Sequence, residues 1–225
     1  MKSIVFCIQN HMIESVLRKN QIINEESVII RSNKELKTNF LEKVDPDFVM
    51  FPHWSHIVDP TIVDNFNCIC FHSTPLPYGR GGSPIQNMII RGHKETEVCS
   101  LLMERDFDSG PIYIRKKISL EGSLDEILTR VYQAISAQII RIINEDISPV
   151  PQKGEPTYFK RKIDNEIDFS ESLNDIYNSI RMLDSEIYPN PYTYIKDYKI
   201  DFSSANKTGN TIEANITITK SANND

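Results

Sequence analysis

Residues 68–111 read CICFHSTPLPYGRGGSPIQNMIIRGHKETEVCSLLMERDFDSGP, and the way this stretch punctuates itself decides the fold. Residues 68–71 are a short apolar run of the kind that forms a buried strand, and the run stops at a histidine, His72. A Pro/Gly-rich loop follows at 75–82. Ser83 and Pro84 then read as an N-cap and a first-turn proline, which predicts a helix from that point. A second apolar run, 98–103, predicts a strand leading into the acidic turn 106–110. In an open α/β sheet the ligand crevice lies outside the carboxyl ends of the strands. His72 and Asp108 are both expected there.

Outward from this stretch the same alternation continues. Towards the N-terminus, 3–8, 28–30 and 48–51 read as strands. Residues 11–18 read as a helix with Met12, Val16 and Leu17 inward, and 35–44 as one with Leu36, Phe40 and Leu41 inward. Pro60 marks a further helix start. Strand and helix in turn predict an α/β fold with a mostly parallel, doubly wound (Rossmann-like) sheet. Towards the C-terminus, 113–120 is extended. Ser123 and Glu126 form a capping box that opens the clearest helix, with Leu124, Ile127, Leu128, Val131, Ile135, Ile139 and Ile143 at helical spacing. Residues 146–157 have linker composition. Beyond them a helix at 170–182 and alternating strands at 192–202 and 211–219 predict a small α+β appendage. The expected domains are 1–150 and 151–225, with a frayed tail at 221–225.

A chain of 225 residues can bury a core without staples. Its net charge of −6 supplies no global field for nucleic acid, so no nucleic-acid partner is expected. The N-terminus breaks too quickly into polar residues for a signal peptide or membrane span, so the expectation is a cytoplasmic protein with no membrane partner. The four cysteines, Cys7, Cys68, Cys70 and Cys99, lie in apolar strand-like segments and read as buried reduced thiols. Cys68, Cys70 and His72 alternate, so a strand points all three to one face, and His93 or Cys99 would complete a soft-metal set. Buried thiols account for the same pattern without a metal, and none is expected. Arg80, Gly81 and Gly82 lack both the Walker spacing and the Gly-x-Gly-x-x-Gly form. They read either as a solvated loop or as a contact to substrate phosphates. The basic run 159–162 reads as a solvated face or a second phosphate contact.

The ordered set is more specific than any single residue. His72, then Ser73-Thr74-Pro75-Leu76-Pro77, then Arg80-Gly81-Gly82-Ser83-Pro84-Ile85-Gln86, then Asp108-Ser109-Gly110 resembles the folate-dependent formyltransferases over roughly residues 1–150. The approach segment from Asp45 to Trp54 fits the same family. The resemblance implies N10-formyltetrahydrofolate as co-substrate, gripped by Pro75, Leu76 and Pro77 and by Met103, Arg105, Asp106 and Phe107. It implies substrate contacts at Arg80, Gly81 and Gly82. Asp106 taken alone reads as a turn residue. One position departs from the family: its asparagine, two before the histidine, is Cys70 here. Cysteine is a weak donor for a developing oxyanion.

The chemistry of formyl transfer agrees with these residues. The attacking amine must be neutral, the tetrahedral oxyanion must be met, and a proton must reach the leaving nitrogen. A histidine moves protons near neutral pH, and a carboxylate beside it orients it and favours its charged form. His72 is therefore the expected base or relay and Asp108 its partner. The short chain and acidic balance point to a nucleotide-linked amino sugar as acceptor, in an enzyme expected to be a homodimer. The alternatives are a methionyl-tRNA formyltransferase-like enzyme and a non-catalytic binder of folate or a nucleotide sugar.

Overall fold

The structure is a computed structural model that describes residues 2–161 and 165–220. The tail expectation at 221–225 and Lys162 of the basic run lie outside the described residues.

Four strands, β1 (Ile4–Cys7), β2 (Val28–Ile30), β3 (Phe48–Phe51) and β4 (Cys68–His72), pair in parallel in the order β2-β1-β3-β4. Between them run α1 (His11–Lys19), α2 (Thr38–Val44) and α3 (Pro60–Asn65). Parallel strands need such crossovers, and the strands they cover are buried on both faces. Val5, Val49, Cys68 and Ile69 are accordingly all 0% exposed. After the short strand β5 (Arg80–Gly81) and α4 (Pro84–Ile90), the sheet is extended by β6 (Glu95–Leu102) and β7 (Ile112–Ser119), giving the order β2-β1-β3-β4-β6-β7. This is the predicted mostly parallel α/β sheet.

β6 runs antiparallel to β4, with Ile69 opposite Leu102 and His72 opposite Cys99. The expectation that His72 and Asp108 both sit at strand carboxyl ends on one rim therefore needs correction. Three residues of strand, about 10 Å, separate the end of β6 from His72. The turn beyond β6 must carry Asp108 back to reach it.

Local departures from the sequence reading have identifiable causes. In α1 the buried residues are Ile13 and Leu17, while Met12 and Val16 are only half-buried. α2 begins only at Thr38, because Glu35 accepts hydrogen bonds from the Arg31 N–H and the Ser32 hydroxyl. Its Phe40 is exposed, and Leu41 alone is buried. Ser83 does precede α4, but it is left-handed (φ 48°) and makes no side-chain cap. The capping box at Ser123 and Glu126 forms in both directions and opens α5 (Leu124–Asn144), with Ile142 rather than Ile143 buried. The last elements are β8 (Tyr158–Phe159), α6 (Leu173–Arg181), β9 (Tyr192–Ile195), β10 (Tyr198–Thr208) and β11 (Thr211–Lys220). The single strand expected at 192–202 is a hairpin, turned at left-handed Lys196 (φ 54°).

The chain forms two compact units. One comprises Met1–Gly81, Glu97–Ile118 and Arg130–Tyr158, and the other Gly82–Thr96, Ser119–Thr129 and Phe159–Asp225. The first holds the six-stranded sheet pairings given above. In the second, β9, β10 and β11 make an antiparallel sheet in the order β11-β10-β9, and α6 packs on β10. Among the described residues no helix is long and apolar enough to cross a membrane.

Candidate active site

The site lies wholly in the first unit and is built around the end of β4. The strand delivers His72 into a buried position, 6% exposed, where imidazole has few partners to choose from. Its Nε2 lies 2.8 Å from the Gly79 carbonyl, an acceptor, so Nε2 carries the proton. Thr74 Oγ1 donates to the same carbonyl at 3.2 Å. With Nε2 committed, Nδ1 is the nitrogen left for chemistry, and it faces Asp108 Oδ2 at 3.4 Å.

Asp108 is itself held from several directions. Its Oδ2 accepts the Gly81 N–H at 2.8 Å. Its backbone is left-handed (φ 52°), a sparsely populated conformation that aspartate adopts more readily than most side chains. Gln152 holds the turn: its Nε2 donates to the Asp108 carbonyl at 2.7 Å and to the Gly110 carbonyl at 2.9 Å. Gly110 is required because a Cβ there would run into the Leu102 carbonyl oxygen. The loop between His72 and Gly81 is anchored too. Gly79 N–H donates to Thr157 Oγ1 at 2.8 Å, Arg80 N–H donates to the Thr157 carbonyl at 2.9 Å, and the Leu76 carbonyl accepts from Arg115 at 2.6 Å.

Cys70 lies on β4 two residues before His72. Burial first, then the Asp108 charge and Cys68, hold its thiol well above the ordinary range. At neutral pH it is S–H, so no second anion stands beside the carboxylate. Among the described residues no three His, Cys, Asp or Glu side chains are grouped so as to hold a metal ion.

His72, Asp108 and Cys70 are thus brought together. Two of the expected substrate contacts are held by bonds within the unit: Arg80 donates to Gln152 Oε1 at 2.9 Å and the Gly81 N–H donates to Asp108 Oδ2 at 2.8 Å. Gly82 has no room for a side chain, since a Cβ would lie 2.8 Å from Arg161 Cβ. Of the expected folate contacts, Leu76 is buried, Arg105 is an exposed partner of Asp64 at 2.7 Å, and Phe107 is 61% exposed. Asp106 contributes only its carbonyl, to the Ser109 hydroxyl at 2.8 Å. Two residues escaped the sequence reading, Gln152 and Thr157. Both fall in 146–157, whose proline and glycine content suggested a spacer. A Gln and a Thr among prolines, in a segment tied to β7 by the Ile112–Val150 bridge, were the available signal.

The comparisons with known proteins bear on this geometry. A sequence model of the formyl transferase family matches residues 9–143, and one of the methionyl-tRNA formyltransferase C-terminal domain matches 162–219. Methionyl-tRNA formyltransferase of Thermodesulfovibrio yellowstonii is 30% identical over 177 residues, 72% of this chain and 56% of that protein. The solved methionyl-tRNA formyltransferase from Clostridium thermocellum is 33% identical, with TM-score 0.92, covering 98% of this chain and 100% of that one. More distant structures share the fold alone. HypX from Aquifex aeolicus, in complex with tetrahydrofolic acid, has TM-score 0.73 at 15% identity, covering 91% of this chain and 38% of that one. A 4-N formyltransferase from Francisella tularensis has TM-score 0.65 at 17% identity, covering 85% and 92%.

These findings overturn the nucleotide-sugar acceptor. Two relatives at 30% identity and a solved structure at 33% carry the methionyl-tRNA formyltransferase name, and the 4-N formyltransferase is similar only in fold. Chain length and net charge misled because they describe the whole surface, whereas an acceptor is chosen by local contacts. The chain spans just over half the length of the curated relatives it matches. With a family model over more than half its residues and a 30%-identical relative over 72% of them, the chain belongs to the formyl transferase family.

Proposed function

We propose that the chain transfers a formyl group from N10-formyltetrahydrofolate to the primary amine of a methionyl-tRNA. The observation that carries the transfer chemistry is the His72 Nδ1–Asp108 Oδ2 approach at 3.4 Å, with Nε2 locked on the Gly79 carbonyl. The names of the relatives and the match at 162–219 support the acceptor. The tetrahydrofolic acid in the HypX structure supports the donor.

In this reading the amine nitrogen attacks the formyl carbon, and His72 Nδ1 takes the proton the amine loses. Asp108 stabilises the resulting imidazolium. The C–N10 bond breaks as the proton passes to N10, which releases tetrahydrofolate. Because Cys70 is a neutral, weak donor, the oxyanion is met by backbone N–H groups and by the nearby positive charge of the His72 imidazolium. Residues 1–150 carry the reaction, with the folate against Pro75–Pro77 and the 103–107 segment. The unpaired edge of β11, with Ile216 and Ile218 more than half exposed, is the surface for a homodimer. Size-exclusion chromatography with light scattering tests that part separately.

The deciding experiment incubates the protein with N10-formyltetrahydrofolate and methionyl-tRNA, and separately with amino sugars linked to nucleotides. Formyl-methionyl-tRNA is the expected product. Turnover on neither acceptor, with tetrahydrofolate still bound, would reduce the protein to a folate binder.

A further inference from the structure

A neutral imidazole has one ring proton, and that of His72 has two acceptors beside it. The Gly79 carbonyl oxygen lies 2.8 Å from Nε2, and Asp108 Oδ2 lies 3.4 Å from Nδ1. A carboxylate is the stronger acceptor, so on equal geometry the proton would settle on Nδ1. In that tautomer Nδ1 donates to Asp108 and can take no proton from an amine. Which nitrogen is basic therefore depends on how firmly the Gly79 carbonyl is aimed at Nε2.

Gly79 does not aim it unaided. Its φ of 76° lies in the left-handed region, and glycine moves through backbone conformations more freely than any other residue. A turn of the peptide joining Gly79 to Arg80 would point the Arg80 N–H at Nε2 in place of the carbonyl. A donor in that position needs Nε2 bare, and the ring proton would pass to Nδ1.

Thr157 bonds the chain on both sides of this carbonyl. Its Oγ1 accepts the Gly79 N–H at 2.8 Å, and its own carbonyl accepts the Arg80 N–H at 2.9 Å. Its N–H donates to the Pro77 carbonyl at 3.2 Å. The Gly79 carbonyl and the Arg80 N–H belong to one planar trans peptide and point opposite ways. Holding the N–H on Thr157 thus directs the carbonyl onto His72. Thr157 is itself exposed, so its side chain adds little to the packed core.

We propose that Thr157 is a positioning residue that sets the tautomer of His72, keeping the proton on Nε2 and Nδ1 free to act as the base. The role in catalysis rests on the formyl-transfer reading; the tautomer itself does not.

Nitrogen-15 spectra of the histidine rings test it on the full chain without substrate, at the alkaline end of a pH titration, with His72→Asn to assign the signal. Wild-type His72 should show the Nε2–H form. Thr157→Val keeps the shape of the side chain and removes the acceptor. It should move the signal towards the Nδ1–H form and lower kcat about tenfold, with KM for N10-formyltetrahydrofolate changed by less than about twofold. Thr157→Ser keeps the oxygen and should restore both. Thr157→Ala takes the place of Thr157→Val if the latter does not fold by circular dichroism. A wild-type ring in the Nδ1–H form overturns the proposal, as does a tautomer unchanged in the folded variant. The tautomer shift in a protein that formylates no acceptor supports the proposal and overturns the formyl-transfer reading alone.

Discussion

The chain contains two sheets made from the same β-branched residues and finished in opposite ways. In the parallel sheet of the first unit Val5, Val49 and Ile69 are fully buried, and helices cover what the strands expose. In the antiparallel sheet of the second unit Ile216 is 55% exposed and Ile218 58%. A sheet closed on both faces holds its strand ends still, and that is what a site such as His72–Asp108 requires. A sheet that leaves two isoleucines of its edge strand exposed is suited to meeting something else.

If the closed sheet is the chemical one, His72→Ala should lower kcat/KM by roughly 10²–10⁴-fold, the usual share of a general acid–base group, with the fold intact by circular dichroism. A tenfold or smaller loss would break the contrast at its strongest point. The next test concerns the same sheet's polar interior. His53, at the end of β3, meets the Tyr132 hydroxyl through Nδ1 at 2.8 Å, and Asn10 donates to that hydroxyl at 2.9 Å. Burial pushes the His53 pKa down to about 4. The unfolded chain therefore binds that proton first on acidification. This contribution to stability is complete above about pH 6.5 and is lost as pH falls towards 4, up to about 3 kcal/mol in all. Urea titrations between pH 7 and 4 should show the loss, and His53→Asn should flatten it. An unchanged slope in the variant would place the acid sensitivity elsewhere.

A smaller effect is expected at Gln152. Gln152→Ala removes two bonds to the Asp108 turn and the Arg80 partner, and should lower kcat about tenfold with modest change in thermal stability. Rescue by Gln152→Asn would argue against a requirement for reach. The smallest effect sharpens the other side of the comparison. Ile216→Thr with Ile218→Thr should shift the monomer's unfolding free energy by no more than about 0.5 kcal/mol each. A large loss that shrinks on dilution would mean that those side chains are buried against a second copy in solution.

The parallel sheet, the crossover helices and the His72–Asp108 pair were legible because short apolar runs, capping residues and turn residues are local signals. The antiparallel direction of β6 was not, because an apolar run such as 98–103 says nothing about which way it pairs. Gln152 and Thr157 stayed hidden for a related reason. Their roles depend on tertiary hydrogen bonds across more than forty residues, to Asp108, and across seventy-eight, to Gly79. The acceptor was misjudged from net charge, a sum over −6 that has no address on the surface. Phe40 shows the same limit at small scale: periodicity names a face, but only packing decides which residue fills it.

The sulfur chemistry of this chain has a practical corollary. All four thiols are held in the neutral form by burial, with Cys68 pushed up to about 12 and Cys99 to about 11, and Cys7 and Cys70 higher still than their ordinary value. Alkylating reagents and peroxide attack the thiolate. The folded protein should therefore resist both at neutral pH, and rapid labelling of the buried Cys7, Cys68 or Cys99 would serve as a direct gauge of how often the sheet around it opens.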